Sequence, residues 1–250
     1  MVDPAPLNDH EAALVAEALR ANRKRVQKVI GYGGRTLWIK RVERLSWLGR
    51  LQKGNPVAAF QAERVAIRGL EAIGQPVPVI LQEGPEHLVM ADAGGNLHNL
   101  LLKKRIGDDD ARVAFAEVGR VLARLHREGY VHGRPVLRDF CWDGSRVTMI
   151  DLERFELRRR RVRTQALDLV IFIQGWFSRR DADDNEAALL DVAMQAYRAE
   201  APAGPWSAIG KWVRMLNPLR PVLRLALRLR PEWREVQAAL WTLDYLADHA

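Results

Sequence analysis

The stretch YVHGRPVLRDFCWDGSRVTMIDLE, residues 130–153, decides how this chain is read. A polar loop carrying His132 leads into RPVLRDFCW. A turn at Asp143-Gly144 follows, and then a second short strand in RVTMIDLE. The carboxylate of Asp151 comes directly after VTMI, where a buried strand leaves the core. Asp139 stands just before FCW, where it could instead cap the turn that precedes that strand.

Working outward, residues 109–128 carry helical apolar spacing and end at Gly129, a residue suited to the position just past a helix end. Further upstream, VQKVIGYGGRTLWIKRV alternates apolar and polar residues on both sides of Gly33-Gly34, which predicts strand, turn and strand over 26–42. Residues 8–23 read as a helix, with Asn8 and Glu11 at capping-box spacing. Residues 57–73 form another helix. QPVPVILQEGPEHLVMAD holds two short strands around Gly84-Pro85, and a helix starts near Asn96. From 164 onward the pattern is helical, interrupted by APAGP at 201–205 and by Pro218, Pro221 and Pro231. The strand-rich half gives way to the helix-rich half near Asp92 to Gly95.

Composition sets outer bounds. The chain has 250 residues, 48% hydrophobic and 28% charged, which suits a soluble globular protein with a real core. One cysteine, Cys141, excludes an intramolecular disulfide and a cysteine-based zinc cluster, and it fits a reducing compartment. Lys and Arg number 39 against 31 Asp and Glu, a net +8 that favours acidic partners: nucleic acid, an anionic membrane face or phosphorylated substrates. The amino terminus lacks a basic start followed by an apolar stretch, and no run approaches a membrane span. The expected location is cytoplasmic, with a peripheral place at the inner membrane if the basic run described below binds lipid.

The 130–153 segment resembles the catalytic loop and metal-binding segment of the protein-kinase-like superfamily, in which HxDxxxxN precedes a hairpin and a DFG-type triplet. His132 matches the histidine, Asp139 the asparagine position, and Asp151-Leu152-Glu153 the triplet. The upstream order agrees. Lys40 ends the apolar strand TLWIK, Glu63 follows on the next helix, and HLVMADAGGNLHNLL resembles the strand, hinge and helix that hold adenine. The finer resemblance is to the bacterial lipopolysaccharide kinases that act on Kdo and heptose. The resemblance implies a two-lobed α+β kinase-like fold, with an N-lobe over 1–92 and a C-lobe over 93–250. It also implies ATP and Mg²⁺ as cofactors. Lys40 and Glu63 would serve the phosphates, Met90, Ala91 and Asp92 the adenine, and Asp139 and Asp151 the metal. His132, Arg134 and Asp139 would form the catalytic loop.

Those residue types answer the charge of a triphosphate, whose β- and γ-phosphates must be fixed and neutralised for transfer. Two departures stand out. Arg134 occupies the position of the family's catalytic aspartate and cannot accept a proton. No GxGxxG loop is present, and Gly31, Gly33 and Gly34 read as turn glycines rather than a phosphate cover. His132 reads as a structural histidine. Asp168 in TQALDLVIF resembles the aspartate that braces the catalytic loop in this fold.

Two stretches carry the excess charge. ERFELRRRRVR, 153–163, follows the DFG-like triplet, and 206–235 mixes tryptophans and arginines at roughly helical spacing. The second is either an amphipathic helix pair packed on the large lobe with a solvated basic face, or a helix lying on an anionic membrane surface. Nucleic acid is the weaker partner, since no RNA-module motif and no separate helix-turn-helix is present. The expected activity is phosphoryl transfer from ATP to a hydroxyl of an anionic sugar or lipid-linked sugar. A nucleotide-binding pseudokinase and a protein Ser/Thr kinase are the alternatives. Nothing in the sequence sets an oligomeric state.

Overall fold

Residues 5–21, 24–43, 55–155, 161–179 and 187–249 are described by a computed structural model. The chain divides into two units. The first comprises residues 1–94 and 148–154, the second 95–147 and 155–250.

In the first unit, α1 (Asp9–Ala21) opens with the capping box expected from sequence. The Asn8 amide donates to Glu11 Oε2 at 3.2 Å, and the Glu11 amide donates to Asn8 Oδ1 at 2.9 Å. Glu11 is buried and also accepts from Arg35 at 3.1 Å, which ties the helix to the hairpin behind it. That hairpin is β1 (Val26–Ile30) and β2 (Thr36–Arg41), paired antiparallel through a turn in which Gly33 and Gly34 have φ of 71° and 82°. Only glycine takes that region freely. With β3 (Ile80–Glu83) and β4 (His87–Ala91) the strands form an antiparallel sheet in the order β1-β2-β4-β3.

Side chains alternate across β2. Leu37 and Ile39 turn to one face, where they join Val15 of α1 and Val89 of β4 in a closed apolar cluster. Trp38 and Lys40 therefore share the other face. α2 (Pro56–Glu71) starts with Asn55 accepting the amides of Val57 at 3.0 Å and Ala58 at 3.3 Å, and with Pro56 in the first turn. It buries Phe60, Glu63, Ala66, Ile67 and Leu70, so one carboxylate sits within an otherwise apolar stripe. The helix also packs against the short turn Leu152–Arg154.

In the second unit, β5 (Gly95–Asn96) precedes α3 (Leu97–Leu102), which Asn96 caps through the Asn99 amide at 2.9 Å. α4 (Asp108–Arg127) carries three aspartates in its first turn and Arg124, His126 and Arg127 in its last, as the helix dipole favours. Gly129, at φ 84°, ends it. β6 (Phe140–Trp142) pairs antiparallel with β5, and β7 (Val147–Met149) carries the chain back to the first unit. The remaining helices are α5 (Val162–Phe177), α6 (Ala187–Glu200), α7 (Ala203–Leu216), α8 (Arg220–Leu229) and α9 (Arg234–His249). α4 and α6 meet closely at Gly119, where an added Cβ would lie 2.0 Å from the Ala193 carbonyl oxygen. Phe115 of α4 meets Trp176 of α5 edge to face at 5.4 Å.

This is the mixed α+β arrangement of a two-lobed kinase-like fold, with a small antiparallel sheet and a larger helical part. The helices are less interrupted than the prolines suggest. Between α7 and α8 the backbone keeps right-handed helical angles through Leu216, Asn217, Leu219 and Arg220, and Pro221 sits in the first turn of α8, where its missing N–H costs nothing. No described helix is long and apolar enough to cross a membrane. Residues 22–23 of the first expected helix and Arg158 to Arg160 of the basic segment lie outside the described residues.

Candidate functional site

Lys40 ends the apolar run of β2 with its side chain almost covered, and carboxylates surround it. Its Nζ lies 2.7 Å from Glu63 Oε1, 3.4 Å from Asp151 Oδ1 and 3.4 Å from Glu153 Oε1. Three separate pieces of the first unit supply these groups: β2, the buried face of α2, and the segment after β7. Glu63 is 3% exposed. Burial pushes its carboxyl above the ordinary glutamate value even though the Lys40 ammonium beside it works in the other direction.

Asp151 has φ 60°, in the left-handed region that a residue with a Cβ rarely adopts. The strained backbone turns the chain sharply after β7 into the Leu152–Arg154 turn, so that Asp151 and Glu153 both face Lys40. Strain at such a point is a mark of functional segments. Among the described residues, Glu63, Asp151 and Glu153 form a carboxylate cluster whose ligand atoms all lie within 4.8 Å of one another. Arg25 pairs with Glu153 and lies 3.6 Å from Glu43. Glu153 counted in the sequence only as the last letter of a triplet, and Arg25 carried no signal at all.

Met90 stands opposite Trp38 across the β2–β4 pair, on the same face of the sheet as Lys40. Ala91 ends β4. Asp92, just beyond, accepts the Trp38 indole N–H at 2.7 Å, which fixes the strand end expected to hold adenine.

His132, Arg134 and Asp139 lie in the second unit, in the loop between α4 and β6. His132 is buried, with its ring 6.0 Å from that of Phe140. Arg134 is half-buried in the loop itself. Asp139 closes the short turn Leu137–Asp139. It is 3% exposed, and its Oδ2 is 3.4 Å from the Val136 amide, the turn-capping geometry weighed from sequence.

Asp168 of α5 holds this loop from beneath. Its carboxylate accepts the His132 amide at 2.6 Å and the Gly133 amide at 3.0 Å. His126 Nε2 lies 3.4 Å away, and His126 Nδ1 is 2.9 Å from the Tyr197 hydroxyl. A carboxylate accepts, so Nε2 carries the hydrogen toward Asp168, and in the neutral ring Nδ1 accepts from Tyr197. The tyrosine remains a donor, because burial, helped by the Asp168 charge, pushes its hydroxyl far above the ordinary value. Gln165 completes the node by donating to the His126 carbonyl at 2.6 Å.

No family model matches the chain. It is 25% identical over 225 residues to an uncharacterized protein of Haemophilus influenzae, a match covering 87% of this chain and 92% of that one. It is 31% identical over 138 residues to a probable bifunctional tRNA threonylcarbamoyladenosine biosynthesis protein of Haloarcula marismortui, covering 51% of this chain but 22% of that protein. It is 26% identical over 157 residues to EKC/KEOPS complex subunit BUD32 of Encephalitozoon cuniculi, covering 62% of this chain and 77% of the subunit. These similarities, together with the α+β fold, point to the protein-kinase-like superfamily.

Proposed function

We propose that the protein transfers the γ-phosphate of ATP to a hydroxyl of an anionic sugar or lipid-linked sugar, as the lipopolysaccharide kinases do. The observation that carries this reading is Lys40 held at 2.7 Å by Glu63 and at 3.4 Å by Asp151. In this reading the ammonium meets phosphate oxygens while Glu63 keeps it aimed. Asp151, paired from sequence with Asp139 as a metal ligand, holds a cation with Glu153 beside it, and the β4 end from Met90 to Asp92 borders the adenine. The donor set fits a divalent ion: around Lys40 and Arg25 stand the carboxylates of Glu63, Asp151, Glu153 and Glu43, so acids outnumber bases. Bound Mg²⁺ would neutralise the charge on the β- and γ-phosphates.

In the second unit, Asp168 braces the loop that carries Arg134. Arg134 cannot take a proton from the acceptor, yet phosphoryl transfer passes through a loose transition state that depends more on positioning and charge than on a base. Arg134 and the exposed Arg138 suit an acceptor that already carries negative charge.

Two measurements test this. Calorimetry of ATP with Mg²⁺ is expected to show binding that Asp151→Asn weakens strongly; equal binding by both proteins rejects the metal assignment. Incubation with γ-labelled ATP, Mg²⁺ and deacylated lipopolysaccharide or cell extract is expected to label an acceptor, and Lys40→Ala to abolish the label.

A second reading is a nucleotide-binding module that works within an assembly without turnover. Arg134 at the catalytic position favours it, as does the similarity to a subunit of the EKC/KEOPS complex. Nucleotide binding without transfer to any acceptor would select it.

A further inference from the structure

α8 buries none of its ten residues although seven of RPVLRLALRL are apolar. It packs against α9 and keeps Leu223, Ala226 and Leu227 half-buried. At 100° per residue these three share one side of the helix, and Val222, Leu225 and Leu229 lie away from it. Those last three are 61%, 56% and 76% exposed.

The exposed row does not begin with α8. Met215 and Leu219 precede it, both exposed, and each step along 215, 219, 222, 225 and 229 is three or four residues. Since the backbone stays helical from α7 into α8, that spacing makes one stripe. On the helix, Arg224 and Arg228 border it, both exposed. From 211 to 231 the chain carries Lys211, Arg214, Arg220, Arg224, Arg228 and Arg230 and no acidic residue. Arg220 is engaged by Asp244 of α9, whose Oδ1 also lies 3.9 Å from the exposed Arg224, while Arg228 and Arg230 project from the surface.

A contiguous apolar row left open on a folded chain marks an interaction surface. Its charge selects the occupant. Nucleic acid would use the arginines and leave the apolar row in water. A second copy of the same face would oppose cations with cations, with no acid in the segment to answer them. An anionic lipid surface satisfies both features: the apolar row enters the boundary between headgroups and acyl chains, and the arginines meet phosphates.

We propose that the stripe Met215, Leu219, Val222, Leu225 and Leu229 docks this protein on an anionic lipid surface, with Arg224, Arg228 and Arg230 on the headgroups. The surface is independent of the Lys40 cluster, so its test stands apart from the phosphotransferase reading.

The test is sedimentation of the full chain with vesicles of phosphatidylcholine, with or without phosphatidylglycerol. Binding is expected only with the anionic lipid, and high salt should reduce it. The pair Arg224→Gln and Arg228→Gln should weaken it on the order of 30-fold. Leu225→Gln with Leu229→Gln should weaken it at least about tenfold. These side chains are exposed, so circular dichroism should stay unchanged, and Lys40→Ala should bind vesicles like the parent. Equal binding to neutral vesicles, no binding to either, or insensitivity to the leucine pair in a folded variant would overturn the proposal. So would nucleic-acid binding lost with the arginines while vesicles are ignored, or a dimer that the leucine pair dissolves.

Discussion

Lys40 and Asp168 are both buried charges, and they are satisfied by opposite means. Around Lys40 the partners are three side-chain carboxylates on two pieces of chain, of which Asp151 and Glu153 are partly open to water. Around Asp168 they are the amides of His132 and Gly133 and a buried imidazole. Side-chain partners can be exchanged for a ligand's charges without unfolding anything, whereas backbone amides cannot leave without moving the loop. The first arrangement suits a site that must receive polyphosphate and metal. The second suits a fixed support.

On that contrast, Asp168→Ala should have the largest effect on stability, about 3–5 kcal/mol, because the buried His132 amide, the half-buried Gly133 amide and His126 lose their acceptor. Urea denaturation measures it, and a loss under 1 kcal/mol would break the contrast. Asp168→Asn, which keeps one oxygen, should fall between. Glu63→Ala should cost less, about 1–3 kcal/mol, since Asp151 and Glu153 remain near Lys40. Its effect on ATP affinity should exceed its effect on the denaturation midpoint of the free protein.

The pH dependence sharpens the same point. Burial raises the folded Glu63 carboxyl above its unfolded value, so the protonated form favours the folded state. That contribution is fully present below the unfolded value, about 4.3, and is lost as pH rises through the raised folded value. The stability of the parent relative to Glu63→Gln should therefore fall as pH rises across this window in a series of urea melts. A rising difference would mean that the Lys40 pairing outweighs burial. The smallest effect belongs to α8, where nothing is buried: Leu225→Gln should change stability by no more than about 0.5 kcal/mol.

What could be read from sequence was local. The Asn8 and Glu11 spacing, the Gly33-Gly34 turn, the Asn96 helix start and the Gly129 helix end are short-range signals, and each lies where it was expected. Lys40, Glu63 and Asp151 drew attention through their order along the chain, because no spacing rule joins residues as far apart as Lys40 and Asp151, 111 positions. Glu153 and Arg25 were missed for the same reason, since their meeting depends on the turn that Asp151 makes with its unusual φ. The link from His126 to Tyr197, 71 residues on, has no sequence signature either. Within 206–235, α8 packs one side against α9 and leaves Val222, Leu225 and Leu229 exposed.

Gly119 has a reach beyond its own contact. The atoms that a methyl there would strike, the Ala193 carbonyl oxygen at 2.0 Å and the Tyr197 amide at 2.9 Å, are backbone of α6 and have no rotamer to retreat into. The bare glycine acts as a spacer of minimal thickness, and it sets how far α6 stands from α4. Tyr197 rides on α6 and delivers its hydroxyl to His126 on α4, which in turn faces Asp168. One added carbon at position 119 would thus be felt several bonds away, as a slackening of the loop that carries His132 and Gly133.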